Sequence, residues 1–455
     1  MGTAISAATR AELDAKIRSL MPELREGLER LIAIPSVAFP GFPSEPIHEA
    51  HDLVRELAAE AGVILRDSLR LPDTSPVVWG EIPAPPGAPT VLLYCHYDVV
   101  PAGEESDWES PPFIATEREG AIYGRGTADS KSNLMVHLGA LRAFGGRPPV
   151  GIKLVIEGQE EAGSAFDYWP EKNPEFFHAD AMVIADVGNV RPGVPTLTVA
   201  LRGDAAVTVE VNTLGSAKHS GQFGGAAPDA LLVLMRALAT LHDDSGDVAV
   251  PGLLRTEWAG SSYTEAEFAE LAEMLPGTVL QGTGGLGERI WSGPALTVTG
   301  IDVPSVEGAV NAVSPHARAR INLRVHPEQD AREAQAALIA YLEAQTPFGI
   351  SLEVAAGDTG NGYSAAEGGP AYHAALAALG SAWEAEPTTA AIGGSIPLVN
   401  SLHLAAPEAE ILLFGTADGF SRIHAPNERV LIDEFERAIL AEALFLSELA
   451  SRKNA

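Results

Sequence analysis

The sequence predicts an α/β protein: a mainly parallel-sheet domain into which a smaller α+β domain of ferredoxin-like order is inserted. Three observations lead there. Short apolar runs at 90–98, 151–156 and 181–185 alternate with segments of helical period, the pattern of parallel strands joined by crossover helices. Near residue 200 the order changes to β-α-β-β-α-β, that of a ferredoxin-like unit. The chain has 455 residues, too many for one average domain, so two or three folding units are expected.

Taken in order, residues 11–33 read as an amphipathic helix, with Leu13, Ile17, Leu20, Leu24, Leu28, Leu31 and Ile32 on one stripe and Pro35 closing it. A second helix is expected at 46–62 and a buried strand at 90–98, then a helix at 131–144 and strands at 151–156 and 181–185. In the inserted part, strands are expected at 204–213, 295–301, 312–326 and 350–355, and helices at 228–242 and 330–346. The Gly-rich stretch 357–369 leads back to a helix at 370–384, a strand at 409–414 and a final helix at 433–451. The expected boundaries are 1–198 and 363–455 for the discontinuous domain and 199–362 for the insertion.

Lys and Arg number 30 against 61 Asp and Glu, a formal charge of −31. That field repels phosphate backbones and anionic lipid, so neither nucleic acid nor membrane is expected as a partner. No apolar run is long enough to span a bilayer, and no signal core stands at the amino terminus. The single cysteine, Cys95, allows no intramolecular disulfide and no Cys-based zinc finger. A reducing, cytoplasmic setting fits.

The residues that can carry chemistry are Asp, Glu and His at the ends of expected strands, where open α/β sheets build their sites. His96 and Asp98 stand two apart at the end of one strand, with Asp98 placed to fix the imidazole tautomer. Asp129 lies in the loop Gly124-Arg-Gly-Thr-Ala-Asp129-Ser-Lys131 before a helix. Glu160 and Glu161 follow the strand 151–156, Asp186 ends the strand 181–185, and His424 lies far downstream in Arg422-Ile-His424-Ala-Pro-Asn-Glu428. Taken singly, a His at a strand end is usually a hydrogen-bonded structural residue and an Asp there usually a helix cap. The five segments together carry the case. A ligand set of His and carboxylate without Cys suits Zn²⁺, with Mn²⁺ or Co²⁺ possible.

From His96-Tyr-Asp98-Val-Val-Pro101 to His424-Ala-Pro-Asn-Glu428 the chain resembles the zinc metallopeptidase family of carnosinases, aminoacylase, bacterial dipeptidases and succinyl-diaminopimelate desuccinylase. The resemblance implies two Zn²⁺ per chain, with Asp129 bridging them, His96 and Asp186 completing one site, and Glu161 and His424 the other. It further implies a metal-bridging water and Glu160 as general base; Asp98, which orients His96, is counted with Glu160 among the catalytic residues. The inserted domain becomes a lid and dimerisation domain. There Leu214-Gly-Ser-Ala-Lys-His219-Ser-Gly resembles the motif whose histidine steadies the oxyanion in the partner subunit, which implies a homodimer. Arg324 in Asn322-Leu-Arg324-Val-His-Pro327 matches the arginine that binds the substrate carboxylate, a planar group that a guanidinium fork suits. Gly393-Gly394-Ser395-Ile-Pro397 resembles the loop that holds the same carboxylate.

The expected activity is cleavage of the amide bond of dipeptides or similar small peptides. N-acyl-amino-acid amidohydrolase or carboxypeptidase activity of the same mechanism is the alternative, and a non-catalytic binding protein keeping the fold is a third. Carnosinase-like members often carry another histidine near the hinge, where this chain reads Ala356-Gly-Asp358-Thr-Gly-Asn-Gly-Tyr363, so the substrate preference of carnosinases does not carry over. Gly282-Thr-Gly284-Gly-Leu-Gly287 fits the dinucleotide-loop spacing but lacks a βαβ context and is expected to be loop.

Overall fold

The computed structural model describes residues 5–394 and 396–452. The chain forms two compact units: one of Met1–Val199, Ala365–Ala390 and Leu398–Ala455, the other of Ala200–Ser364 and Ala391–Pro397. The division falls after Val199 and after Ser364, and the short segment 391–397 groups with the second unit.

In the first unit a mixed, mainly parallel sheet runs in the order Ile64–Leu65, Val78–Ile82, Gly151–Glu157, Thr90–His96, Ala181–Ile184, Glu410–Leu413, Thr196–Leu201. Thr90–His96 is parallel to both neighbours, with Thr90 opposite Gly151 and Val91 opposite Ala181. Glu410–Leu413 is parallel to Ala181–Ile184. The flanking strands Val78–Ile82 and Thr196–Leu201 run antiparallel. Ala181–Ile184 is buried along its whole length and Thr90–His96 from Val91 onward, residues of both faces included. This is why they read as continuous apolar runs with no alternation.

The first helix, Ala7–Ile32, buries the expected stripe, and Ser6 Oγ caps it by accepting from Thr9 N at 3.0 Å. It packs on the helices Ser132–Ala143 and Ile432–Arg452, so the two chain ends share one layer. Among the described residues no helix is long and apolar enough to cross a membrane.

The second unit holds a four-stranded antiparallel sheet, ordered Ala295–Asp302, His316–Val325, Gly203–Asn212, Glu353–Gly360. In chain order that is second, third, first, fourth, as in a ferredoxin-like unit. His316–Val325 alternates exposed and buried residues, and its buried face meets the helices Ala230–Leu238 and Ala331–Ala344 over a core including Val207, Val209, Ile321, Leu323 and Leu338.

Several elements differ from expectation. The strand expected at 312–326 is interrupted: Ala312–Val313 pairs with Lys218–His219, and the sheet strand begins only at His316, after Pro315. Proline has no N–H to give to a ladder. The last strand of the insertion starts at Glu353 and reaches Gly360, taking in part of the stretch read as loop. Thr90–His96 ends before Asp98, which sits in the loop beyond it.

Candidate metal centre

Three parallel strands end at one edge of the first sheet with His96, Glu157 and Ile184, and the chain leaves each strand carrying a candidate ligand. His96 is the last residue of its strand and fully buried. Its Nδ1 lies 3.1 Å from the Asp98 carbonyl oxygen and 3.3 Å from the Asp98 carboxylate. With Nδ1–H donated there, Nε2 is the nitrogen turned outward, donating to carboxylate oxygens when the ring is protonated and offering its lone pair when a metal cation takes that proton's place. Nε2 faces Asp129 Oδ1 at 2.9 Å and Asp186 Oδ1 at 3.1 Å.

Asp129 sits in the turn before the helix Ser132–Ala143. Gly126 has φ +82°, and a Cβ there would come within 2.5 Å of Val99 Cγ1, so the turn needs glycine. The second Asp129 oxygen, Oδ2, lies 3.0 Å from His424 Nε2, which also meets Glu161 Oε1 at 3.1 Å. Asp98 does more than meet His96. Its two oxygens accept from the backbone N–H of Glu160 (3.0 Å) and Glu161 (3.1 Å), fixing the loop that presents both glutamates.

His96, Asp98, Asp129, Glu160, Glu161, Asp186 and His424 thus converge from segments spread over some three hundred positions. Oxygen and nitrogen atoms of His96, Glu160 and Asp186 lie within 4.8 Å of one another, as do those of His96, Asp129 and Glu161. Either group could hold a cation, and the donors are those Zn²⁺, Mn²⁺ and Co²⁺ accept. By distance alone Glu160 could be a ligand as well as a base. His219, Arg324 and Gly394 belong to the second unit. His219 is exposed, and its Nδ1 accepts from Gly221 N at 3.1 Å. Ser395 lies outside the described residues.

The electrostatics are those of a crowded anionic pocket. Burial, then repulsion from Asp186, pushes the Glu160 carboxyl well above its ordinary value. Burial likewise raises Glu161 to about 7 against the opposing hydrogen bond from His424. Burial would also raise Asp129, but hydrogen bonds from His424 and His96 hold it well below the usual range. Hydrogen bonds to Asp129 and Glu161 push His424 up to about 10. So much buried negative charge needs cations to neutralise it, either protons or a divalent metal. The donor set fits the metal.

One member was not singled out from sequence. Glu428, fully buried, accepts from Arg125 Nη1 (2.7 Å) and from the N–H groups of Gly126 (2.8 Å), Ala128 (2.9 Å) and Asp129 (3.0 Å). It ties the His424 segment to the Asp129 turn. Four residues after a histidine, it looked like any solvated glutamate.

A histidine–carboxylate cluster at the carboxyl edge of a mostly parallel sheet has the chemistry to polarise a carbonyl and acidify water. The class is that of metal-dependent hydrolases. The chain belongs to Peptidase family M20/M25/M40, whose profile matches residues 92–448. It is 41% identical to a cysteinylglycine-S-conjugate dipeptidase of Corynebacterium striatum, over 79% of this chain and 81% of that one. In fold it resembles human carnosine dipeptidase 1 (TM-score 0.80, 23% identity, covering 97% of this chain and 99% of that one). A similar likeness links it to the metallo-carboxypeptidase Sso-CP2 of Sulfolobus solfataricus (TM-score 0.79, 24% identity, covering 94% and 99%).

Proposed function

We infer that the chain hydrolyses dipeptides and similar small peptides with two divalent cations, zinc first, manganese or cobalt as substitutes. One observation supports this above all: Asp129 turns one carboxylate oxygen to His96 and the other to His424, at 2.9 and 3.0 Å, so two cation positions can share it. In this reading His96 and Asp186 complete one position, and Glu161 and His424 the other. When bound, the cations supply Lewis-acid polarisation of the scissile carbonyl and acidity for the attacking water.

The chain's own groups do the rest. Glu160 takes the water's proton as oxygen attacks carbon, then hands it to the amine nitrogen as the C–N bond breaks. Its raised proton affinity is in the direction such a shuttle needs. Asp98 keeps Glu160 and His96 in register through the contacts described above. Arg324, Gly394 and Ser395 take the substrate carboxylate, and His219 steadies the oxyanion in the partner subunit of a cytoplasmic homodimer. The likeness to the cysteinylglycine-S-conjugate dipeptidase makes S-substituted Cys-Gly dipeptides the first substrates to try.

The test is metal analysis of the purified protein with a panel of dipeptides, N-acyl amino acids and longer peptides. Two metals per chain with dipeptide cleavage bears the reading out. Cleavage of N-acyl amino acids alone makes the protein an amidohydrolase instead, and no turnover by metal-loaded protein overturns hydrolysis altogether. Glu160→Gln is expected to keep both metals and lose at least about 100-fold in kcat. Normal turnover by that variant removes Glu160 as the base, and loss of a metal makes it a ligand.

A further inference from the structure

Arg202 stands between the strands Thr196–Leu201 and Gly203–Asn212, and its side chain is only 8% exposed. Its backbone N–H donates to Ile392 O at 3.2 Å, its Nε to Gly393 O at 3.2 Å and its Nη1 to Gly293 O at 3.3 Å. A Cβ on Gly393 would come within 2.7 Å of Arg202 Nη2 and 3.0 Å of Ile290 O, so the guanidinium is seated directly against that glycine turn. Asp204 is opposite Arg324 in the ladder, so Arg202, two residues earlier, has the parity of the same sheet face.

Among the described residues no carboxylate makes an ion pair with Arg202, and Arg324 makes neither an ion pair nor a side-chain hydrogen bond. Asp204, the acid nearest in the register, sets its Oδ1 against Gly360. Burial and repulsion from Arg324 push the Arg202 guanidinium down to about 10. Two neighbouring cations with no ion pair to a carboxylate among the described residues are costly. They are unexpected in a chain with 61 acids for 30 bases, where a pairing carboxylate is easily supplied. A ligand carboxylate would remove the cost.

We propose that Arg202 determines substrate specificity: it holds the Gly393 turn in place and adds a second uncompensated positive charge beside Arg324, so the site selects substrates ending in a free carboxylate. The proposal rests on the reading of Arg324 and Gly394 as carboxylate-binding residues. Arg202 is a positioning residue, since two of its donors are spent on the carbonyls of Gly393 and Gly293.

The test compares a dipeptide with its C-terminal amide on metal-loaded enzyme, using the wild type, Arg202→Gln, Arg202→Lys and Arg324→Gln, with thermal melting as a check on folding. Arg202→Gln is expected to lower kcat/KM for the free acid about 10- to 100-fold, mostly through KM, and to leave the amide within about twofold. Arg202→Lys should recover part of the loss by restoring charge without the fork. Should Arg202→Gln fail to fold, Arg202→Lys carries the test through a raised KM for the acid alone. Equal losses on acid and amide, or no loss on either, overturn the proposal. If Arg324→Gln collapses the acid-to-amide ratio and the Arg202 variants do not, only Arg202's part falls. An unchanged ratio in Arg324→Gln overturns the carboxylate reading itself.

Discussion

Glu428 is where a single side chain has most leverage on the metal centre. Its carboxylate receives four donors, three of them backbone N–H groups of the Asp129 turn, with no solvent to replace any of them. In Glu428→Gln one acceptor oxygen becomes an NH₂ facing N–H donors, and the buried Arg125 loses its counter-charge. Removing one partner of such a pair costs on the order of 3–5 kcal/mol, so urea unfolding should show a loss near that size. Because the turn carries Asp129, metal affinity should fall about 10- to 100-fold as well, read by chelator competition. A variant that loses stability but binds metal normally would show that the turn holds its shape without the tie.

At the scale of elements, helices Ser132–Ala143 and Ile432–Arg452 are joined by a buried polar contact, His137 Nδ1 to Glu442 Oε2 at 2.7 Å, both side chains fully buried. His137 Nε2 lies 3.0 Å from Tyr94 O, so it must donate there. Burial pulls the imidazole down, but Glu442, with Cys95 beside it, outweighs this and holds it well above its ordinary value. A raised folded-state value means the charged pair's contribution is complete below about pH 6.5 and is lost as pH rises through the folded value. The stability of the wild type minus that of His137→Gln should therefore decline as the solution is made alkaline, measured by urea unfolding from pH 6 upward. A flat difference would mean the pair carries no proton linkage. These helices and the central strands were legible in sequence because burial on one stripe or on both faces leaves a plain apolar pattern. The flanking antiparallel strand Val78–Ile82 was not, since Gly80 and Glu81 interrupt its apolar run and it pairs with distant residues. His96, Glu160, Glu161 and Asp186 stood out in sequence because they lie at or just after strand ends, whereas Asp129 and His424 stood out only as members of ordered motifs. Glu428 and Arg202 were not, because what sets them apart is burial and partners contributed by remote parts of the chain.

Over the whole molecule the −31 formal charge sets a field that any approaching substrate meets. A dipeptide at neutral pH is a zwitterion with no net charge, whereas an N-acyl amino acid carries one full negative charge. Long-range repulsion therefore slows the encounter of the second and hardly touches the first. Salt shortens the reach of that repulsion to about 10 Å at 0.1 M and about 3 Å at 1 M. The buried Arg202 and half-buried Arg324 are screened much less than surface carboxylates, so their attraction for a carboxylate should persist. Raising sodium chloride from 10 mM to several hundred millimolar is expected to increase kcat/KM for an N-acyl amino acid relative to a dipeptide, chiefly through the encounter rate. Steady-state kinetics on one matched pair, a Gly-X dipeptide and the N-acetyl-X that lacks only its free amine, would measure this directly. If the ratio instead fell with salt, attraction by local cations would govern the approach, and the overall acidity of the chain would have no part in choosing between the two substrate classes.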